Sequence, residues 1–229
     1  MKAHFYAAAI AAVMQVSSLP SVLADIPKAP FGGIGTLREV DGRRARELVE
    51  AGQRYFLANE LDAALRCFQE ASLLVPQMAT PHLLLGDVYF YKRQMDKAVE
   101  EYTEAIRRDP TQYLAYVNRG SSLSALQKNA AALLDLNKAA ELRPNNENTY
   151  FNRAYVFAKL GRLEDALADF ERATLIEPLD TPALLGKAQI LALMGRLDDS
   201  RCFYQFVLSL HPDNTNALEA LQKLGPMKK

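Results

Sequence analysis

Apolar residues between positions 45 and 214 fall at intervals of three and four. Leu163, Ala166, Leu167, Phe170 and Ala173 are one such set. On an α-helix that spacing puts every member on one face, so each set predicts an amphipathic helix with a single buried stripe. The stripes come in pairs, and the pairs recur at a fixed interval marked by Pro76, Pro110, Pro144, Pro178 and Pro212, each 34 residues after the last. Proline cannot continue a helix and biases the preceding residue away from helical geometry, so each proline closes a helix–turn–helix unit. Counting back from them gives five units, 45–78, 79–112, 113–146, 147–180 and 181–214. One hairpin cannot bury its stripe alone, so neighbours must stack. The pattern predicts an all-α solenoid.

In register, the units alternate small and bulky positions. The eighth place holds Gly52, Gly86, Gly120, Ala154 and Ala188; the twentieth holds Ala64, Ala98, Ala132, Ala166 and Ser200. The twenty-seventh holds Ala71, Ala105, Ala139, Ala173 and Val207. Between them stand Tyr55, Tyr89, Leu123, Phe157 and Leu191, then Phe68, Tyr102, Leu136, Phe170 and Tyr204. A small side chain lets helices approach, and a bulky one from a neighbour fills the space beside it. Thr80-Pro81 and Thr181-Pro182 read as a capping hydroxyl followed by a first-turn proline.

These small, bulky and proline positions resemble the tetratricopeptide repeat, most fully in Tyr150–Ala173. The resemblance spans residues 45 to about 224. It implies a right-handed α-α superhelix whose end is closed by a capping helix, here residues 215–224 ahead of a short tail to 229. Two departures stand out. The frequent tryptophan near each unit's start is replaced by Leu48, His82, Tyr116, Tyr150 and Leu184. The usual glycine between the two helices survives only as Gly161 and Gly195. Asn59, Arg93 and Gln127 occupy that place in units one to three, so the turns of units two and three are expected to differ, because arginine and glutamine enter left-handed geometry reluctantly.

The flanks read differently. Residues 1–24 open with Lys2, run apolar from Phe5 to Val16, and end Val22-Leu23-Ala24, the pattern of a cleaved signal peptide with processing after Ala24. The apolar run is too short for a permanent span, which needs about 20 residues. A periplasmic or secreted location is therefore expected, and the absence of any Asn-x-Ser/Thr acceptor suits a bacterial periplasm. Residues 25–44, with Pro27, Pro30, Gly32, Gly33, Gly35 and Gly42, read as an extended arm.

Lys+Arg and Asp+Glu both number 27, so no field draws in nucleic acid, and none is expected as a partner. Cys67 and Cys202 lie four units apart, beyond the roughly 7 Å a disulfide allows between Cα atoms, so no bridge is expected. No Cys/His spacing suits a metal, and no nucleophile–base set or phosphate-cradling loop appears. His82 reads as a packing residue and His211 as a helix-end residue; the acidic pairs Glu164-Asp165 and Asp198-Asp199 complement helix N-termini. No catalysis, cofactor or metal is expected.

The resemblance implies that the first helix of each unit lines a concave groove. Its groove-facing places hold Gln53, Phe56, Leu83, Asp87, Phe90 and Tyr91, then Asn118, Ser121, Asn148, Asn152, Tyr155 and Gln189. The N-terminal part is aromatic and apolar. The C-terminal part is rich in amides, and Asn118 and Asn152, one unit apart, suit the backbone amides of an extended peptide. The lysine–asparagine clamp of chaperone-binding relatives is not reproduced, since Val49, Gln53 and Leu83 stand there. A non-enzymatic scaffold that binds a peptide or protein, in an envelope or secretion assembly, is expected. The alternatives are a self-associating structural protein, a homo-oligomer, and an accessory subunit of an enzyme complex.

Overall fold

The computed structural model describes residues 37–225; the segment expected to be a signal peptide and most of the expected arm lie outside them. Among the described residues every regular element is helical. The helices are α1 (Leu37–Leu57), α2 (Leu61–Leu74), α3 (Ala79–Tyr91), α4 (Met95–Arg108), α5 (Tyr113–Ala125) and α6 (Asn129–Leu142), then α7 (Glu147–Lys159), α8 (Leu163–Ile176), α9 (Thr181–Leu193), α10 (Leu197–Leu210) and α11 (Thr215–Leu224). Odd-numbered helices from α3 to α11 start 34 residues apart, and so do even-numbered ones.

In units two to five each first helix packs on the second helix of its own unit and on the second helix of the unit before, and α11 packs on α10. Consecutive first helices (α3 with α5, α5 with α7, α7 with α9) also touch, whereas consecutive second helices do not pack to that extent. A stack whose first helices crowd together while its second helices spread apart bends toward the first helices.

The contact that sets hairpin closeness joins the eighth place to the bulky residue 16 positions on. A Cβ on Gly52 would lie 2.4 Å from the Phe68 ring, and one on Gly86 would lie 2.5 Å from the Tyr102 ring. The bulky partner comes from the same hairpin. Phe170 also reaches forward, its ring 2.4 Å from where a Cβ on Gly186 would sit in unit five. Phe68, Tyr102, Leu136, Phe170 and Tyr204 are all buried, with alanines or small residues around them. Their outer counterparts are less covered: Leu123 and Leu191 are buried, but Tyr55 is exposed.

Three sequence-level expectations need correction. The segment 37–44 is not an extended arm: α1 begins at Leu37 and carries helix straight into unit one, with Ala45, Leu48 and Val49 buried on its inner face. Helical propensity of the surrounding residues outweighs the single Gly42. The threonines do not cap. Thr80 and Thr181 already lie inside the first turns; the position before α3 is Met78, which makes no side-chain cap, and before α9 Asp180 accepts from the Ala183 N–H at 3.0 Å. Asn146 and Asn214 do the same for Thr149 and Ala217, both at 3.0 Å. Finally, the turns of units two and three do not differ. Asn59, Arg93 and Gln127 take φ of 61°, 60° and 61°, beside 74° and 79° for Gly161 and Gly195. In each turn the next residue's N–H bonds back to the first helix, as Arg162 N does to Phe157 O at 3.0 Å and Gln94 N to Tyr89 O at 2.9 Å. Tertiary packing imposes the left-handed turn on residues that resist it.

Candidate functional site

The wall formed by the first helices is polar in a regular way. The ninth place of one unit faces the sixth place of the next, 31 residues on. Between units two and three, the Asn118 side chain donates to Asp87 Oδ1 at 2.8 Å. Between units three and four, Ser121 donates to Asn152 Oδ1 at 3.0 Å, and Asn152 donates to the Asn148 carbonyl at 2.7 Å. Asn148 in turn donates to Glu147 at 2.6 Å. Further along, the Lys159 ammonium donates to the Ser124 hydroxyl at 2.8 Å and carbonyl at 2.9 Å. Burial lowers its pKa from the usual lysine value.

Asp87 has a second donor. The Tyr102 hydroxyl rises from α4 and bonds the same Oδ1 at 2.7 Å. Desolvation pushes the Asp87 carboxyl up to about 7, against the opposing pull of these two hydrogen bonds. The same burial, with the neighbouring carboxylate, holds the Tyr102 phenol well above its ordinary range.

Unit one meets unit two without such a bond. The ninth place is Gln53 and the sixth place opposite is Leu84, and Gln53 Oε1 is buried with no hydrogen-bond partner. Aromatic contact replaces it. Phe56 and Tyr91 meet edge to face with centroids 4.9 Å apart, and Tyr91 and Leu57 are 40% and 66% exposed. Within unit four, Tyr155 packs edge-on against Phe151 at 4.9 Å and Phe170 at 5.3 Å, and burial raises its phenol pKa.

The residues named from sequence thus separate. Phe56 and Tyr91 come together, as do Asp87 with Asn118, and Ser121 with Asn152 and Asn148. Tyr155 and Gln189 are half-buried on the same wall. Leu83 and Phe90 do not present a surface: at 1% and 8% exposure they are packed between helices. The amides of Asn118 and Asn152 are not free, because each already bridges two first helices. Sequence reasoning placed Lys159 on this wall and missed Tyr102 and Ser124 as members of the network. Tyr102 stands in a bulky packing place, and only its hydroxyl, absent from the Phe68, Leu136 and Phe170 equivalents, hinted at a polar partner.

Other chemistry-bearing groups have structural partners. His82 and Glu101 are 2.7 Å apart across α3 and α4. Cys67 and Cys202 are free thiols, the first half-buried and the second exposed. Among the described residues no group of three His, Cys, Asp or Glu is placed to hold a metal, and no helix is long and apolar enough to cross a membrane.

An all-helical array of 34-residue hairpins with bonded first helices defines a helical-repeat solenoid. Family models described as tetratricopeptide repeat match residues 49–113 and 148–180, and one described as TPR repeat matches 120–161. Together they cover more than half of the chain, which belongs to the tetratricopeptide-repeat family. Among solved structures it is similar to YrrB, described as a TPR protein with an unusual peptide-binding site: TM-score 0.63, 23% identity, 81% of this chain and 97% of that one. It is also similar to PilF of Pseudomonas aeruginosa, at TM-score 0.73 and 19% identity over 82% of this chain and 85% of that one. MamA of Desulfovibrio magneticus RS-1 aligns at TM-score 0.67 and 16% identity, over 76% and 98%. At these identities the likeness is one of fold. No curated protein matches the chain in sequence.

Proposed function

We propose that the wall of first helices is a groove that holds a peptide or protein segment, and that the protein works as a non-enzymatic scaffold. One observation carries this reading. Tyr91 and Leu57, on the first helices of adjacent units, leave apolar surface exposed where the stack bends, beside polar groups whose capacity is only partly used. Apolar surface next to unspent hydrogen-bonding groups is what an extended segment needs for affinity and register. The peptide-binding site named for YrrB is consistent with it. The signal-like segment at residues 1–24 supports action outside the cytoplasm, in an envelope or secretion assembly.

The test is affinity capture from the native compartment with mass spectrometry, comparing the native chain with Leu57→Ser/Tyr91→Ser. Both side chains are exposed, so the variant keeps its fold. Partners recovered with the native chain are expected to be lost with the variant; equal recovery refutes the groove. Self-association is a second reading, favoured by exposed Leu193, Leu197, Phe206 and Leu218 on the last helices. A stable oligomer in size-exclusion chromatography that persists in the groove variant would support it.

A further inference from the structure

Asp87, Asp135 and Asp169 are buried or half-buried carboxylates between a first helix and its second, as is Glu101, which meets His82 at 2.7 Å. Asp135 and Asp169 each receive a two-pronged guanidinium from their own unit. Arg119 reaches both oxygens of Asp135 at 2.7 Å, and Arg153 those of Asp169 at 2.7 and 2.8 Å. Asp87 differs. Its donors, Tyr102 and Asn118, are neutral and both use Oδ1; Oδ2 accepts no hydrogen bond from a described residue, and no lysine or arginine among them pairs with it. A desolvated carboxylate without a counter-charge is costly, and proteins ordinarily supply one. Here it is missing on the wall that faces out of the stack.

One unit earlier in the same row, Gln53 Oε1 is a buried acceptor without a donor. Two acceptors in succession, at the ninth places of units one and two, are short of donors. The apolar surface of Leu57 and Tyr91 lies beside them, and Tyr91 belongs to the same helix as Asp87; burial first, and the Asp87 carboxylate second, raise its phenol pKa.

Resting on the groove reading above, we infer that the bound segment carries a lysine or arginine that seats on Asp87 Oδ2 and is flanked by apolar residues lying on Leu57 and Tyr91. The low-polarity surroundings strengthen the ion pair relative to one in water, and the Tyr91 face offers the cation a second favourable contact. An acidic or purely apolar segment leaves Asp87 without a counter-charge, so the site discriminates by what it lacks.

The experiment sorts a phage-displayed library of random dodecapeptides on the purified full chain, on Asp87→Asn, and on Leu57→Ser/Tyr91→Ser. Asparagine keeps the oxygen that accepts from Tyr102 and Asn118, so the wall stays intact, and circular dichroism melting checks this. Peptides from the native chain are expected to be enriched in lysine or arginine next to apolar residues. Synthetic copies should bind Asp87→Asn about tenfold more weakly in fluorescence anisotropy, as loss of a charged hydrogen bond implies. Replacing the peptide's cation with norleucine should cost about tenfold on the native chain and almost nothing on Asp87→Asn. Peptides that need Leu57 and Tyr91 but show no basic enrichment, or bind Asp87→Asn equally well, overturn the cation and leave the groove standing. A library that yields nothing, or peptides indifferent to Leu57→Ser/Tyr91→Ser, overturns both.

Discussion

Units three and four and units one and two are built from the same hairpin but hold together by different chemistry. In units three and four the seventh place is arginine and the twenty-third is aspartate. The guanidinium grips the carboxylate of its own second helix, and its remaining nitrogen crosses to the preceding unit, Arg119 to Thr103 at 3.0 Å and Arg153 to Asn137 at 2.8 Å. Those two places hold Ala51 and Cys67 in unit one, and Leu85 and Glu101 in unit two. There the core of the joint is apolar, built from Leu48, Val49, Phe68, Leu84, Leu85 and Val88 with Phe56 against it, and its polar bonds lie at the rim, Lys92 to Asp62 and Arg108 to the Pro76 carbonyl. The difference teaches what each region is free to do. A joint locked by directional charge-assisted bonds has its polar groups spent, whereas an apolar joint holds its units together and leaves acceptors on the wall unclaimed.

The sharpest way to break the comparison is to remove one member of a charged pair. Arg153 and Asp169 side chains are only 19% and 9% exposed, so Asp169→Ala strands a guanidinium in a desolvated place. The expected loss is about 3 kcal/mol in urea unfolding. The exposed pair of Arg196 and Asp199, at 51% and 52%, is the control, and Asp199→Ala should cost under about 1 kcal/mol. If the two losses are equal, charge does not lock the middle units.

A smaller effect is expected from pH. Asp87 has a folded-state pKa raised from 3.8 to about 7, so the folded protein holds this proton more tightly than the unfolded chain does. The stabilisation is fully present below pH 4 and is lost as pH rises toward and through 7. Thermal melting should therefore fall by a few degrees across that window through this group. Asp87→Asn, which keeps the acceptor and removes the charge, should flatten that component and melt higher than the native chain at pH 8. A native-like pH slope in the variant would assign the effect elsewhere.

Much of this was legible in the sequence, and the exceptions have physical causes. The register of Gly86 against Tyr102 is a packing rule, and packing rules repeat visibly at 34 residues. The Arg119–Asp135 and Arg153–Asp169 pairs were also visible in principle, as the same residue types at the same spacing in consecutive units. Helix caps were assigned two residues late in one case and one in the other, because Thr-Pro is a strong signal on its own while Asp180 gains its role only from the helix's actual start. The residues of the arm at 37–44 were hidden by the glycines and prolines before them. The binding wall was the least legible part. Which residues line it follows from register, but whether Asn118 is free or bound depends on Asp87, a residue 31 positions away on another helix.

The finest contrast between units lies in their turns. Arg93 and Gln127 sit at φ of 60° and 61°, where glycine stands in units four and five. A residue with a Cβ in that region costs about 1–2 kcal/mol relative to right-handed geometry, whereas glycine enters it freely but adds unfolded-state entropy. The balance favours glycine at a fixed left-handed position, so Gln127→Gly should stabilise by about 0.5–1 kcal/mol, and Gly161→Ala should destabilise by about the same amount. No atom lies within 4 Å of a Cβ placed on Gly161, so the backbone alone decides that result. Opposite signs from the two substitutions, read as urea midpoints at constant slope, establish that units two and three are strained at a point where units four and five are relaxed. Matching signs would mean that the glutamine side chain contributes a contact worth as much as the strain, and the turns would then be equivalent in energy as well as in shape.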